Sequence, residues 1–241
     1  MLYLMEKYWL DFYVEYILAT AYFRGINLSK DELDEFVFDK EYLNDDADQV
    51  YEDVLINTAK ALDYIRYIVA KGLDNFHAGG EYPVISTENF KELYCIYEPT
   101  LKYINSFDEG SETRKKLDET IGYVLSHLYS VKELRALCEN ISYSLVDYLS
   151  LMPFGEYSLE LAWILVQGIM AFKGYGFIVF PDVDDLNENI KLSLELVQEL
   201  KDVSKTEYGK NNKFNAFVNQ LVDASETYHN KNLTHLSGKK D

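Results

Sequence analysis

Helical periodicity is the feature that most constrains this chain. Only four prolines and twelve glycines interrupt its 241 residues. The stretches between them repeat apolar side chains at three- and four-residue steps, the spacing that lines one face of an α-helix. Leu2, Met5, Trp9, Phe12, Tyr16, Ala19 and Phe23 follow that spacing until Arg24 and Gly25, where glycine can close a helix. Ser29 and Glu32 have capping-box spacing and predict a short helix through Val37. Asp46 or Asp48 is expected to start a long helix through Val54, Leu62 and Ile68, with Gly72 just past its end. Residues His77 to Pro83 read as a turn or a short hairpin.

Thr87 is expected to cap a helix through Phe90, Leu93, Tyr97 and Leu101. Ser111 opens another that ends between Ser126 and Ser130, and Ser130 with Glu133 forms a second capping box. That helix reaches Met152 and stops, because Pro153 cannot continue it. Ser158 begins the most apolar helix, which ends at Gly174, and Phe177 to Phe180 is a lone extended run. Asp184 or Asp185 caps a helix through Leu200, and the last helix spans Lys213 to Tyr228. The expected fold is therefore all-α: a single-domain multi-helix bundle over residues 1–229, with at most a minor hairpin and a polar, disordered tail at 230–241.

Composition removes several function classes. Lys and Arg number 23 against 41 Asp and Glu, a net charge of −18. A surface that negative repels phosphate backbones and anionic lipid, so neither nucleic acid nor a membrane surface is an expected partner. The longest apolar run, Leu161 to Phe172, carries Gln167 and is too short to span a bilayer. Glu6, Lys7 and Asp11 break the apolar N-terminal stretch, unlike a secretory signal. The expectation is a cytoplasmic protein. Cys95 and Cys138 have neither disulfide-framework nor zinc spacing, and His77, His127, His229 and His235 are scattered. No cofactor or metal is called for.

One segment carries more information. Met152-Pro-Phe-Gly-Glu-Tyr-Ser-Leu-Glu-Leu-Ala-Trp163 leads without a break into an apolar helix ending in Gly174-Tyr175. It resembles the active-site segment of the Fic/DOC (Fido) family, H-P-F-x-[DE]-G-N-G-R-x-x-R. Three further blocks agree in order. Thr20 to Gly25 followed by Asn27-Leu28-Ser29 is similar to the family's inhibitory segment; Asn57 to Ile65 and Ile85 to Leu93 are similar to two of its helices. Together they cover roughly residues 20–200.

The resemblance implies a Fic-like helical fold, and it also implies that transfer chemistry has been lost. Of nine specified motif positions the chain keeps three: Pro153, Phe154 and the acid Glu156. Met152 replaces the histidine base, and a thioether takes up no proton near neutral pH. Tyr157, Ser158 and Leu159 replace the Gly-Asn-Gly cradle whose backbone N–H groups hold phosphate. Glu160 and Trp163 replace the two arginines, and a carboxylate facing a triphosphate reverses an attraction the reaction needs. Glu156 keeps metal-ligating chemistry, although a lone acid at a helix start more often faces water. Arg24 stands where the inhibitory glutamate would be; either it meets Glu160 or Glu156, or, next to Gly25 at a helix end, it faces water and the helix dipole. No sequence like the family's target-docking flap precedes Met152; only Asn105 to Ser111 reads as irregular. The expected function is that of a pseudoenzyme that binds a protein, either a basic target or an active Fic relative, with self-association open. The alternatives are a divergent nucleotidyl- or phosphoryl-transferase using Glu156 or Glu160 in a rebuilt site, and a helical interaction module whose likeness to Fic is one of fold alone.

Overall fold

The computed structural model describes residues 5–80, 86–128, 130–180 and 182–237. Among them the chain forms α-helices, turns and short 3₁₀ segments and no strand, so the protein is an all-α multi-helix bundle. The helices are α1 (Glu6–Arg24), α2 (Lys30–Phe38), α3 (Asp53–His77), α4 (Thr87–Tyr97), α5 (Glu112–Leu128), α6 (Leu134–Leu151), α7 (Ser158–Lys173), α8 (Val183–Leu200), α9 (Lys205–Tyr208) and α10 (Asn212–Ser237). One hydrophobic cluster runs from Tyr8 on α1 to Tyr228 on α10.

At its centre lies α7, which buries Leu159, Leu161, Ala162, Ile164, Val166, Ile169 and Met170 against α3, α4 and α6. Each large apolar side chain buried this way contributes about 1.5–3 kcal/mol. α1 buries Tyr8, Trp9, Phe12, Tyr13, Ile17 and Ala21 against α2, α3 and α8. Of the periodic set only Trp9 and Phe12 are on this face, and Met5 and Phe23 are exposed, because packing against several flanking elements rotates the buried stripe. Among the described residues no strand lies beside the lone extended run after α7. The Gln167 amide takes a strand's place, donating from Nε2 to Ile178 O (2.8 Å) and accepting Ile178 N–H at Oε1 (2.9 Å). Those bonds satisfy backbone groups that burial would otherwise orphan. The same run lets Phe177 stack on Phe12, 3.8 Å between ring centroids.

Several helix ends differ from the sequence expectation. The long helix starts at Asp53, not at Asp46 or Asp48, because the chain first makes a 3₁₀ turn at Ala47–Gln49 that brings Tyr51 to Phe36, 4.6 Å between rings. It continues through Gly72, which is buried inside α3, to His77. Ser86, not Thr87, caps α4 in a capping box with Asn89, and α4 stops at Tyr97, leaving Leu101 outside it. Ser130 is not the cap of α6, which begins at Leu134 with Glu133 at the cap position and no side-chain cap bond. Asp182, not Asp184 or Asp185, caps α8. The last helix continues past Tyr228 to Ser237, so residues 230–237 are helical, not a tail. Asn232 is buried and Lys231 pairs with Glu15 of α1, contacts that the polar composition of this stretch does not reveal. Of the turn or hairpin at His77–Pro83, His77 ends α3 and Ala78 and Gly79 form a turn, while residues 81–83, like 84, 85 and 238–241, lie outside the described residues.

Candidate functional site

The segment 152–163 begins at the end of α6. Met152 occupies the C-cap in the left-handed region (φ 44°), its N–H donating to Tyr148 O at 3.1 Å. Pro153 is buried and its carbonyl accepts from Ser106 Oγ at 2.6 Å. Phe154 is fully buried against Tyr94, with ring centroids 4.7 Å apart and planes at 24°. Its N–H donates to Ser158 Oγ at 2.9 Å, so the serine at the start of α7 fastens the turn that precedes it. Gly155 has φ 51°, and a Cβ there would lie 2.3 Å from Tyr103 Oη. A side chain there would have to displace the Tyr103 ring, and the positive φ already favours glycine.

Glu156 faces solvent, and both its oxygens are taken. Lys102 Nζ donates to Oε1 and Tyr103 Oη to Oε2, each at 2.6 Å. Those two donors hold the carboxyl down to about 2. The pair has no neighbouring carboxylate arranged for a cation; among the described residues no group of three or more His, Cys, Asp or Glu is placed to hold a metal. Sequence reasoning missed Lys102 and Tyr103. Their segment bends back toward Pro153 because the buried Glu98 carboxylate accepts from Tyr94 Oη (2.9 Å) and from the N–H groups of Thr100 (3.1 Å) and Lys102 (2.8 Å). Nothing in the sequence pattern distinguishes that glutamate from a surface acid.

Arg24 and Glu160 meet. Arg24 lies in the last turn of α1, and Gly25, at φ 69°, ends the helix in a left-handed cap with Ile26 N–H returning to Ala21 O at 2.8 Å. That turn aims the guanidinium at the first turn of α7, where Nη2 donates to Glu160 Oε1. The Glu160 side chain is 10% exposed and that of Arg24 28%. Burial raises the Glu160 carboxyl, and the guanidinium draws it partly back. Glu156, the other expected partner of Arg24, is committed to Lys102. Thr20 is buried, and its hydroxyl donates to Tyr16 O at 3.0 Å within α1.

The surroundings of this pair are unusual. Among the described residues, four buried side-chain polar atoms lack a hydrogen-bond partner: Arg24 Nε, Glu160 Oε2, Tyr97 Oη and Tyr148 Oη. All belong to the same cluster: Tyr97 faces Arg24 and Thr58, and Tyr148 faces Ser158, without a well-formed hydrogen bond, and both tyrosines feel the Glu160 carboxylate. Burial raises both phenols, so they remain neutral hydroxyls. Each orphaned polar atom costs stability, and such atoms are rare in folded proteins. Beside the cluster, α1, α7 and α8 enclose a cleft of about 70 Å³ lined by Tyr16, Thr20, Phe23, Glu160, Trp163 and Phe180. Leu159 and Trp163 give it apolar walls, and the Trp163 ring lies 6.4 Å from Phe217 of α10. Tyr157 is half-buried, its ring 6.2 Å from Tyr97 and 6.4 Å from Tyr103.

No protein-family model, no curated protein and no solved structure matches this chain. What the site can do is therefore argued from its own chemistry. It holds a buried carboxylate matched by one guanidinium, two neutral phenols and an exposed thioether at Met152. The Met152 thioether takes up no proton near neutral pH, and the Glu160 carboxyl, raised by burial, is held by Arg24.

Proposed function

We propose that this protein is a Fic-like pseudoenzyme, a cytoplasmic helical module that acts by binding another protein. The observation that carries this reading is the Arg24–Glu160 ion pair, which commits a cation that reaches the motif-like segment to a carboxylate of the protein itself. A nucleotide site needs uncommitted cations or a metal cage to meet phosphate charge. Here residue 160 is an acid, the acid at 156 is bonded to Lys102 and Tyr103, and Ser158 Oγ is spent on the Phe154 N–H. The segment between α4 and α5, where the family the sequence resembles carries its docking flap, is bonded down onto residues 153–156. Binding a basic protein surface, or an active relative, is favoured by the net charge of −18.

Incubation with labelled ATP, alone and with lysate, tests this. No incorporation is expected for the wild type or for Met152→His, because a restored base has no held nucleotide to act beside, and residues that work as a unit do not act singly. Incorporation that disappears in Glu156→Ala would overturn the proposal in favour of a rebuilt nucleotidyl- or phosphoryl-transferase.

A further inference from the structure

The stretch from Asp31 to Asp53 holds eleven carboxylates and a single lysine, and so carries ten of the chain's eighteen net negative charges. Among the described residues none of these carboxylates is in an ion pair, whereas acids on α1, α5, α6, α8 and α9 are. The one lysine, Lys40, is turned away to Glu6 of α1, 3.0 Å distant. Within the same stretch three large apolar side chains face water: Phe38 is 42% exposed, Leu43 56% and Val50 70%.

These exposed side chains are held on a firm base. Phe36 packs against Tyr42 (5.4 Å between rings) and Tyr51 (4.6 Å), and Tyr42 Oη donates to Asp63 Oδ2 of α3 at 2.8 Å. Leu43 and Val50 each adjoin one of those buried tyrosines, so the backbone that presents them is fixed. Apolar side chains displayed on an ordered scaffold lose little entropy when covered.

The charge decides what covers them. A second copy of the chain would bring the same negative surface, and so would nucleic acid or anionic lipid. A metal ion would leave the apolar side chains in water. We infer that residues 31–53 form a docking surface for a lysine- or arginine-rich amphipathic segment of a partner protein. Its apolar face covers Phe38, Leu43 and Val50, and its cations meet the surrounding carboxylates. This rests on the protein-binding role proposed above and adds to it the surface and the partner's chemistry.

The test uses the full chain and a labelled synthetic amphipathic helix of about 18 residues, with leucine on one face and lysine on the other, followed by fluorescence anisotropy. A scrambled peptide of identical composition is the reference. Saturable binding is expected, tighter than that of the scrambled peptide. The exposed-apolar variant Phe38→Ser/Leu43→Ser/Val50→Ser should weaken it about tenfold, and so should Asp45→Asn/Asp46→Asn/Asp48→Asn. The variant Glu188→Gln/Asp202→Asn/Asp223→Asn removes the same charge from other exposed positions and should leave it unchanged. Equal loss in that control, or no loss in the apolar variant, would show attraction to bulk charge only and overturn the inference. Because no nucleotide is present, failure here leaves the labelled-ATP result untouched, while incorporation of label would sink the role on which the inference rests.

Discussion

Arg24 and Glu160 are the residues on which most of the account turns. A carboxylate buried beside two unpartnered phenols is tolerable while ionised only because a guanidinium meets it. Arg24→Ala should therefore destabilise the fold by about 2–3 kcal/mol at neutral pH, above the ~0–1 kcal/mol of an exposed pair. The direction with pH follows from the raised Glu160 carboxyl. Without Arg24 the folded state holds that proton more tightly than the unfolded one, so falling pH neutralises the unpaired charge and the deficit shrinks. Urea unfolding of both proteins between neutral pH and pH ~4 checks this; a deficit independent of pH would mean that Arg24 acts through packing alone. The reversed pair, Arg24→Glu with Glu160→Arg, should recover part of the loss. Glu156 behaves oppositely. Its carboxyl is held down to about 2 by Lys102 and Tyr103, so its contribution is present above the ordinary carboxylate range and lost as pH falls toward 2. A carbon-detected titration of this side chain should show it ionised at pH ~3.5, where an ordinary glutamate is mostly protonated; a midpoint near 4.3 would contradict the bonded geometry.

At the scale of elements, the extended run after α7 works as a wedge. Gly176 lies so close to α10 that a Cβ would sit 2.1 Å from Ser225 O and 2.9 Å from His229 N, while Ser225 Oγ donates to Gly176 O at 2.7 Å. The contact is with backbone, which cannot step aside. Gly176→Ala should push the run off α10 and destabilise by about 1–3 kcal/mol, read as a lower urea midpoint with an unchanged m-value. Elements of this kind also show what the sequence carried. Apolar spacing and content marked α1 and α7 as helices, although on α1 the spacing named only Trp9 and Phe12 of the buried face, and Gly25 and Gly174 marked their ends, both left-handed caps. The capping box at Ser29 is likewise local. Boundaries failed where a distant contact decides them. α3 waits until Asp53 because Tyr51 must first reach Phe36, and α10 runs to Ser237 because Asn232 is buried and Tyr228 Oη donates to Tyr8 O at 3.2 Å. In the site, the charge reversal at Arg24 and Glu160 was visible from sequence. The roles of Lys102, Tyr103, Tyr97 and Tyr148 were not, since they depend on how α4 and the loop after it fold back on residues 153–160.

Across the whole molecule, one hydrophobic cluster reaches from α1 to α10, and no helix among the described residues is long and apolar enough to cross a membrane. Negative charge gathers at one place in sequence, residues 31–53, while the motif-like segment runs from the end of α6 into α7 and both its acids, Glu156 and Glu160, are paired. That division fits a protein whose interior site is closed and whose surface does the work. The central claim is the closure, and the most direct measurement is a titration of MgATP followed by the indole N–H resonance of Trp163 and the backbone resonances of residues 154–160. The account predicts no saturable shift at millimolar nucleotide, in the wild type or in Arg24→Ala. Saturable shifts confined to those resonances would contradict it and show that the site still holds a nucleotide.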